Sequence, residues 1–196
     1  ILSDTLPASL PERLTHQWLR ERMAAPRRPL ALVDGDHRAA AERTPYRDAA
    51  VLVPMVEREA GLTVLLTRRT AHLRNHAGQI AFPGGRREED DGTPAQTALR
   101  ETREEIGLAA DCLEVLGLLD DYTTGTAFRI TPVVALVHQP FALNPDPQEV
   151  EEVFELPLDL LYRPAHRQRN SIVNDGRLHH YHAIPYGRHY IWGATA

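Results

Sequence analysis

Residues 83–108 read PGGRREEDDGTPAQTALRETREEIGL, and the architecture follows from how this stretch folds. Its second half predicts a helix marked at both ends. Thr93 is a good N-cap, Pro94 sits at the first helical position, where a missing N–H is harmless, and Gln96 completes a capping box with Thr93. Gly107 is placed to stop the helix in a left-handed turn. Ahead of the helix, Pro83-Gly84-Gly85 ends a short strand, and Arg86 to Gly92 form a polar loop.

The helix gathers carboxylates. At about 100° per residue, with Glu101 at zero, Glu104 lies near −60° and Glu105 near +40°, so the three share one face. Ala95, Leu99, Thr102 and Ile106 fall between about 100° and 160° and predict the face that packs on a sheet. Thr97 and Ala98, one turn before Glu101, are expected to leave space for a ligand. Two carboxylates about 6 Å apart repel by roughly 3 kcal/mol at an effective dielectric near 20. Arg100 can reach Glu104, whereas Glu101 and Glu105 reinforce each other. A divalent cation reverses that sign, and Mg²⁺ or Mn²⁺ favours such oxygen ligands.

Working outward, Ala49 to Val56 and Leu62 to Thr67 read as strands joined at Glu59-Ala60-Gly61, and Gln79 to Phe82 as a short strand. Leu113 to Leu119, Phe128 to Val137 and Val150 to Leu156 are further strands, and Leu158 to Tyr162 a short helix. Asn174-Asp175-Gly176 marks a hairpin between Ser171–Val173 and Leu178–Ile184. Strands with interspersed helices predict an α/β sandwich on a mixed sheet. Residues 1–45 read as an N-terminal helical extension and connector. A helix start at Ser9, Pro11 and Glu12 leads to Leu10, Leu14, Trp18 and Leu19 at helical spacing up to about Ala25. That apolar stripe needs a partner surface, in a homodimer or folded back over the site.

Composition narrows the classes. The 196 residues are 42% hydrophobic and 25% charged, an ordinary globular mix. A net charge of −5 argues against non-specific nucleic-acid binding, which needs a basic face. The single cysteine, Cys112, excludes an internal disulfide and a multi-cysteine zinc site, and is expected to be a small buried hydrophobe. No apolar run is long enough for a membrane helix, and no secretory signal is read. The expectation is a soluble cytoplasmic protein. Every fixed cation is arginine, the side chain that forks onto phosphate. His180 and His182 share a strand face from which His179 points away, so no zinc site is expected there.

Gly85, Asp91, Arg100-Glu101, Glu104-Glu105 and Gly107-Leu108 together resemble the Nudix box, G-x5-E-x7-R-E-U-x-E-E-x-G-U, where U is a bulky aliphatic residue. Three positions depart from it: Asp91 stands for Glu, eight residues rather than seven precede Arg100, and Thr102 takes the first U. Residues 65–85, LLTRRTAHLRNHAGQIAFPGG, resemble the added signature of the coenzyme A pyrophosphatase branch, LLTxR-x4-R-x3-G-x3-FPGG. Leu65, Leu66, Thr67, Arg69, Arg74, Gly78, Phe82, Pro83, Gly84 and Gly85 all fall in place, and that branch also accommodates an extra loop residue and an Asp. The last residues, Ile191 to Ala196, resemble the stretch that opens a final helix in that branch.

The resemblance implies a Nudix-type α/β/α sandwich over residues 46–196 and Mg²⁺- or Mn²⁺-dependent hydrolysis of coenzyme A to 3′,5′-ADP and 4′-phosphopantetheine. It implies metal ligation by Glu101 and Glu105 first, Glu104 next, and the Gly85 carbonyl. Gly84 and Gly85 let backbone approach the phosphates. Arg69 and Arg74 either contact phosphates or order the helix glutamates by a salt bridge. Arg100 and Gly107 are structural. For the catalytic base, Glu149, Glu151 and Glu152 are candidates. Glu149 is favoured because it follows the Asn144-Pro145-Asp146-Pro147 loop, with Glu104 a second catalytic candidate. His76, inside the signature, is a further candidate. The alternatives are a Nudix enzyme acting on another substrate such as ADP-ribose, and a non-catalytic nucleotide-binding domain. The intact helix glutamates speak against the latter.

Overall fold

The computed structural model describes residues 14–25, 30–34, 45–73, 76–174 and 176–196. Helix α1 (His16–Ala24) is followed by strand β1 (Leu32–Asp34) and the hairpin β2 (Arg47–Arg58) and β3 (Gly61–Arg69). Two short strands, β4 (Ile80–Ala81) and β5 (Gly84–Arg86), lead into α2 (Pro94–Ile106). Then come β6 (Leu113–Leu118), β7 (Asp121–Thr123), β8 (Phe128–Val137), β9 (Val150–Pro157) and α3 (Leu158–Tyr162). The chain ends in β10 (Gln168–Asn174), β11 (Arg177–Tyr186) and β12 (His189–Trp192).

The main sheet runs β1-β7-β8-β2-β3-β4, with β5 beside β2, β6 beside β8 and β9 beside β3. Its centre is parallel, since β2 and β8 pair from Arg47↔Phe128 to Val56↔Val137. β1 and β7 are also parallel, and the other pairings are antiparallel, which makes the sheet mixed. Side-chain alternation along the strands sorts the core into two faces. Ala50, Leu52, Val133 and Ala135 meet Ala98 of α2, while Val56, Leu65 and Val137 meet Ile106. Val53, Met55, Val64, Leu66, Val134 and Leu136 point the other way, to Leu19 of α1, Leu158 of α3, and Ile184 and Ile191 of the β10–β11–β12 sheet. The result is the expected three-layer α/β/α arrangement.

Several elements differ from the sequence reading. Thr15 is extended (φ −123°, ψ 166°) and its side chain accepts from the Trp18 N–H, so the helix begins at His16. The start expected at Ser9 lies outside the described residues. Leu14 and Leu19 are buried, and Trp18 packs edge-on to Tyr162 with centroids 6.3 Å apart. The apolar stripe of α1 is thus covered by its own chain, on the sheet face opposite α2. Pro83-Gly84-Gly85 does not simply end a strand: Gly84–Arg86 pair with Val51, Ala50 and Ala49 of β2. A Cβ on Gly84 would sit 2.4 Å from the Ala50 carbonyl oxygen, so glycine serves here for close backbone approach. The final residues form β12 and a 3₁₀ turn, Gly193–Thr195. Cys112 is half-buried rather than buried.

Candidate active site

Helix α2 begins and ends as its caps dictate. The Gln96 N–H donates to the Thr93 hydroxyl oxygen at 3.2 Å, and Gly107 is left-handed at φ 68°. Its last carbonyls are satisfied from outside the helix, because Asn144 N–H donates to Ile106 O at 2.8 Å and Asp146 N–H to Glu105 O at 2.9 Å. A Cβ on Gly107 would lie 2.9 Å from the Asn144 Cβ, so glycine also admits this loop. Thr97, Ala98, Thr102, Glu105 and Ile106 are the buried residues of α2. The packed face is therefore turned toward the carboxylates, and Thr97 and Ala98, expected to leave ligand space, instead bring the helix against the sheet.

That rotation carries Glu105 inside. Its side chain is only 6% exposed, and the Gly84 N–H donates to Oε2 at 3.0 Å. The Arg69 guanidinium lies 3.4 Å from Oε1. Burial pushes the Glu105 carboxyl up to about 7; Gly84 and Arg69 oppose the rise, and the charges of Glu149 and Glu101 add to it. Glu101 is raised too, first by burial, with Arg100 opposing and Glu104 and Glu149 adding. The Glu101 carboxyl rests on Gly85: a Cβ there would lie 2.4 Å from Cδ and Oε2 and 2.6 Å from Oε1. Only the bare backbone of Gly85 fits beneath this carboxylate.

Arg100 braces the assembly. It forks onto Asp91 (Nε–Oδ1 3.2 Å, Nη2–Oδ2 2.8 Å) and donates to Arg86 O at 3.1 Å. It also reaches Glu101 at 3.0 Å and Glu104 at 3.1 Å. Asp91 is buried, takes the Glu88 N–H at 2.9 Å, and is held far below the usual carboxylate range, chiefly by Arg100. Asp91 thus anchors the loop to the helix. Glu104 stands on the solvent side, its side chain 59% exposed.

The three later glutamates separate cleanly. Glu151 pairs with Arg68, and Glu152 with Arg188 at 2.6 Å and His189 at 3.3 Å. Glu149 is the one whose charge bears on both Glu101 and Glu105. Of the two roles open to Arg69, the salt bridge to a helix glutamate is the contact present. Arg74 lies outside the described residues. His76, exposed at φ 57°, bonds Gln79 Oε1 at 2.8 Å. The sequence reading missed Thr70 and the capping amides of Asn144 and Asp146. Nothing local marks Thr70, and backbone amides have no residue signature.

A family model described as the NUDIX domain matches residues 45–175. The chain belongs to the Nudix family. It is 39% identical over 150 residues to Nudix hydrolase NudL of Pectobacterium atrosepticum, covering 76% of this chain and 78% of that protein. Against NudL of Yersinia enterocolitica it is 40% identical over 148 residues, covering 76% and 75%. The crystal structure of a Nudix hydrolase from M. smegmatis, RenU, superposes with a TM-score of 0.51 at 28% identity, over 61% of this chain and 75% of that one. The protein is a Nudix hydrolase, an enzyme for a nucleoside diphosphate derivative.

Nudix hydrolases generally use Mg²⁺ or Mn²⁺. Among the described residues no three histidine, cysteine, aspartate or glutamate side chains are grouped to hold a metal ion. The Glu101–Glu105 pair and the Gly85 backbone nonetheless fit a hard divalent ion. All are oxygen donors, both carboxyls are raised by burial, and the missing side chain of Gly85 lets the Glu101 carboxylate lie directly on its backbone. A pH dependence follows. As a metal ligand Glu105 would have to be ionised, so Mn²⁺ affinity resting on it would fall by up to about tenfold per pH unit below 7. Because its folded value of about 7 is above the ordinary 4.5, its contribution to metal-free stability is present at acid pH and lost as pH rises through 7. Calorimetric Mn²⁺ titrations from pH 5.5 to 8 check this; a flat affinity would contradict it.

Proposed function

We propose that this Nudix hydrolase cleaves the diphosphate bond of coenzyme A, giving 3′,5′-ADP and 4′-phosphopantetheine. The carrying observation is the meeting of two motifs. Arg69 and Gly84 of the 65–85 signature both contact Glu105 of the α2 carboxylate set. The resemblance of that signature to the coenzyme A branch supports the choice of substrate. One or more Mg²⁺ or Mn²⁺ ions on Glu101, Glu105 and the Gly85 carbonyl, with Glu104 joining from the solvent side, would neutralise the diphosphate and activate water.

The chain's own groups divide the remaining work. Glu149, standing by the buried carboxylates, takes the proton from the attacking water. Gly84 and Gly85 let the diphosphate approach the backbone. Arg69, with its side chain 26% exposed, is shared between Glu105 and an incoming phosphate, and Arg74 is assigned to the same phosphates. Arg69→Ala is expected to raise KM for coenzyme A about 10- to 100-fold, the worth of a charged hydrogen bond, with little change in kcat. A loss of Mn²⁺ affinity instead would confine Arg69 to Glu105. The deciding experiment is product analysis with coenzyme A and ADP-ribose in Mg²⁺ and in Mn²⁺. Release of 3′,5′-ADP at the higher kcat/KM is expected; faster turnover of ADP-ribose would overturn the reading.

A further inference from the structure

Thr70 directly follows Arg69 at the end of β3 and is 6% exposed. A buried hydroxyl needs a partner. Here it donates to the Gln148 carbonyl at 2.9 Å, while the Thr70 N–H donates to the Glu149 carbonyl at 2.9 Å. Both bonds leave β3 for the same two loop residues. The loop is tied on its other side by Asp146. Its carbonyl accepts from Glu149 N–H at 3.1 Å and Val150 N–H at 2.8 Å, and its Oδ1 accepts from Gln148 N–H at 2.8 Å. The Asp146 N–H in turn caps the Glu105 carbonyl.

The regular ladder does not do this job. The register of β3 with β9 jumps from Arg68↔Glu152 to Arg69↔Val150, leaving Glu151 bulged and Glu149 beyond the last pair. Such a bulge re-aims the residues after it. We infer that Thr70 is a positioning residue that holds Glu149 in register with Glu101 and Glu105. This rests on Glu149 acting as the base.

Thr70→Val removes the hydroxyl donor at nearly constant shape and keeps the backbone bond. It is expected to lower kcat about tenfold, leave KM and Mn²⁺ affinity within twofold, and be largely rescued by Thr70→Ser. The assay uses coenzyme A with Mn²⁺, or ADP-ribose should coenzyme A not be hydrolysed. Acting through Glu149, Thr70→Val should slow Glu149→Gln no further. Wild-type kcat in Thr70→Val beside a crippled Glu149→Gln would overturn the role of Thr70 alone. An equal slowing in both backgrounds would reduce Thr70 to general stability and overturn it too. Full activity of Glu149→Gln would remove the base, and this inference with it. Should Thr70→Val fail to fold, Thr70→Ser against Thr70→Ala supplies the same comparison.

Discussion

Glu101→Gln is expected to lower kcat for coenzyme A about 10³-fold, with a parallel loss of Mn²⁺ affinity. The substitution keeps the shape that rests on Gly85 and removes the charge. Metal neutralisation of a phosphoryl transition state is worth several kcal/mol, and about 4 kcal/mol corresponds to roughly 10³ in rate. Glu105→Gln should behave alike, because both carboxyls lie against β5 and the backbone beside it. Glu104→Gln should cost less, since Glu104 is far more exposed than Glu101 or Glu105. Single-turnover rates with Mn²⁺ binding by titration check the order. Activity within tenfold of wild type for Glu101→Gln would remove that carboxylate from the metal site.

The largest stability effect is expected at Arg100. Arg100→Ala leaves Asp91 buried without its forked partner and frees the Arg86 carbonyl as well. Removing one member of a buried pair costs about 3 kcal/mol, or roughly 6–12 °C in Tm for a chain of this size. Arg100→Lys should recover only part, because an ammonium cannot reproduce two parallel bonds to one carboxylate. The sign with pH follows from Asp91, which is held below its ordinary value. Its contribution is present above about pH 4, the unfolded value, and disappears as pH falls through the folded one. The gap between wild type and Arg100→Ala should therefore be constant near neutrality and begin to narrow in acid, below the unfolded value. Melting curves at pH 7 and pH 3 measure it; an unchanged Tm at pH 7 would show that the loop does not depend on this pair.

What the sequence disclosed was what local chemistry encodes. Thr93, Pro94 and Gly107 set the limits of α2, and strands such as Phe128–Val137 appeared at their own boundaries. The orientation of α2 about its axis was not local. It depends on how closely Ala98 can approach Ala50 and Ala135 across the sheet, which turned Glu105 inward. Gly84–Arg86 escaped for a related reason, since glycine marks both a chain break and a tight backbone crossing. Among Glu149, Glu151 and Glu152, the choice turned on ion pairs with distant arginines and on a register jump, neither visible in three neighbouring acids. Asp91 was seen at its unusual spacing, but its burial against Arg100 needed the loop's path.

The clamp of loop 144–149 onto α2 and β3 also orders events in time. Glu105 is capped by Asp146, and Thr70 is bound to Gln148 and Glu149, across sequence separations that local folding cannot bridge. A nascent chain emerging from the ribosome with α2 already wound would leave the Glu105 and Ile106 carbonyls without their loop partners. Because residues 144–149 come after β3 and α2 in the chain, these bonds can form only once that loop has been made, so the carboxylate helix gains its brace after it has itself been synthesised.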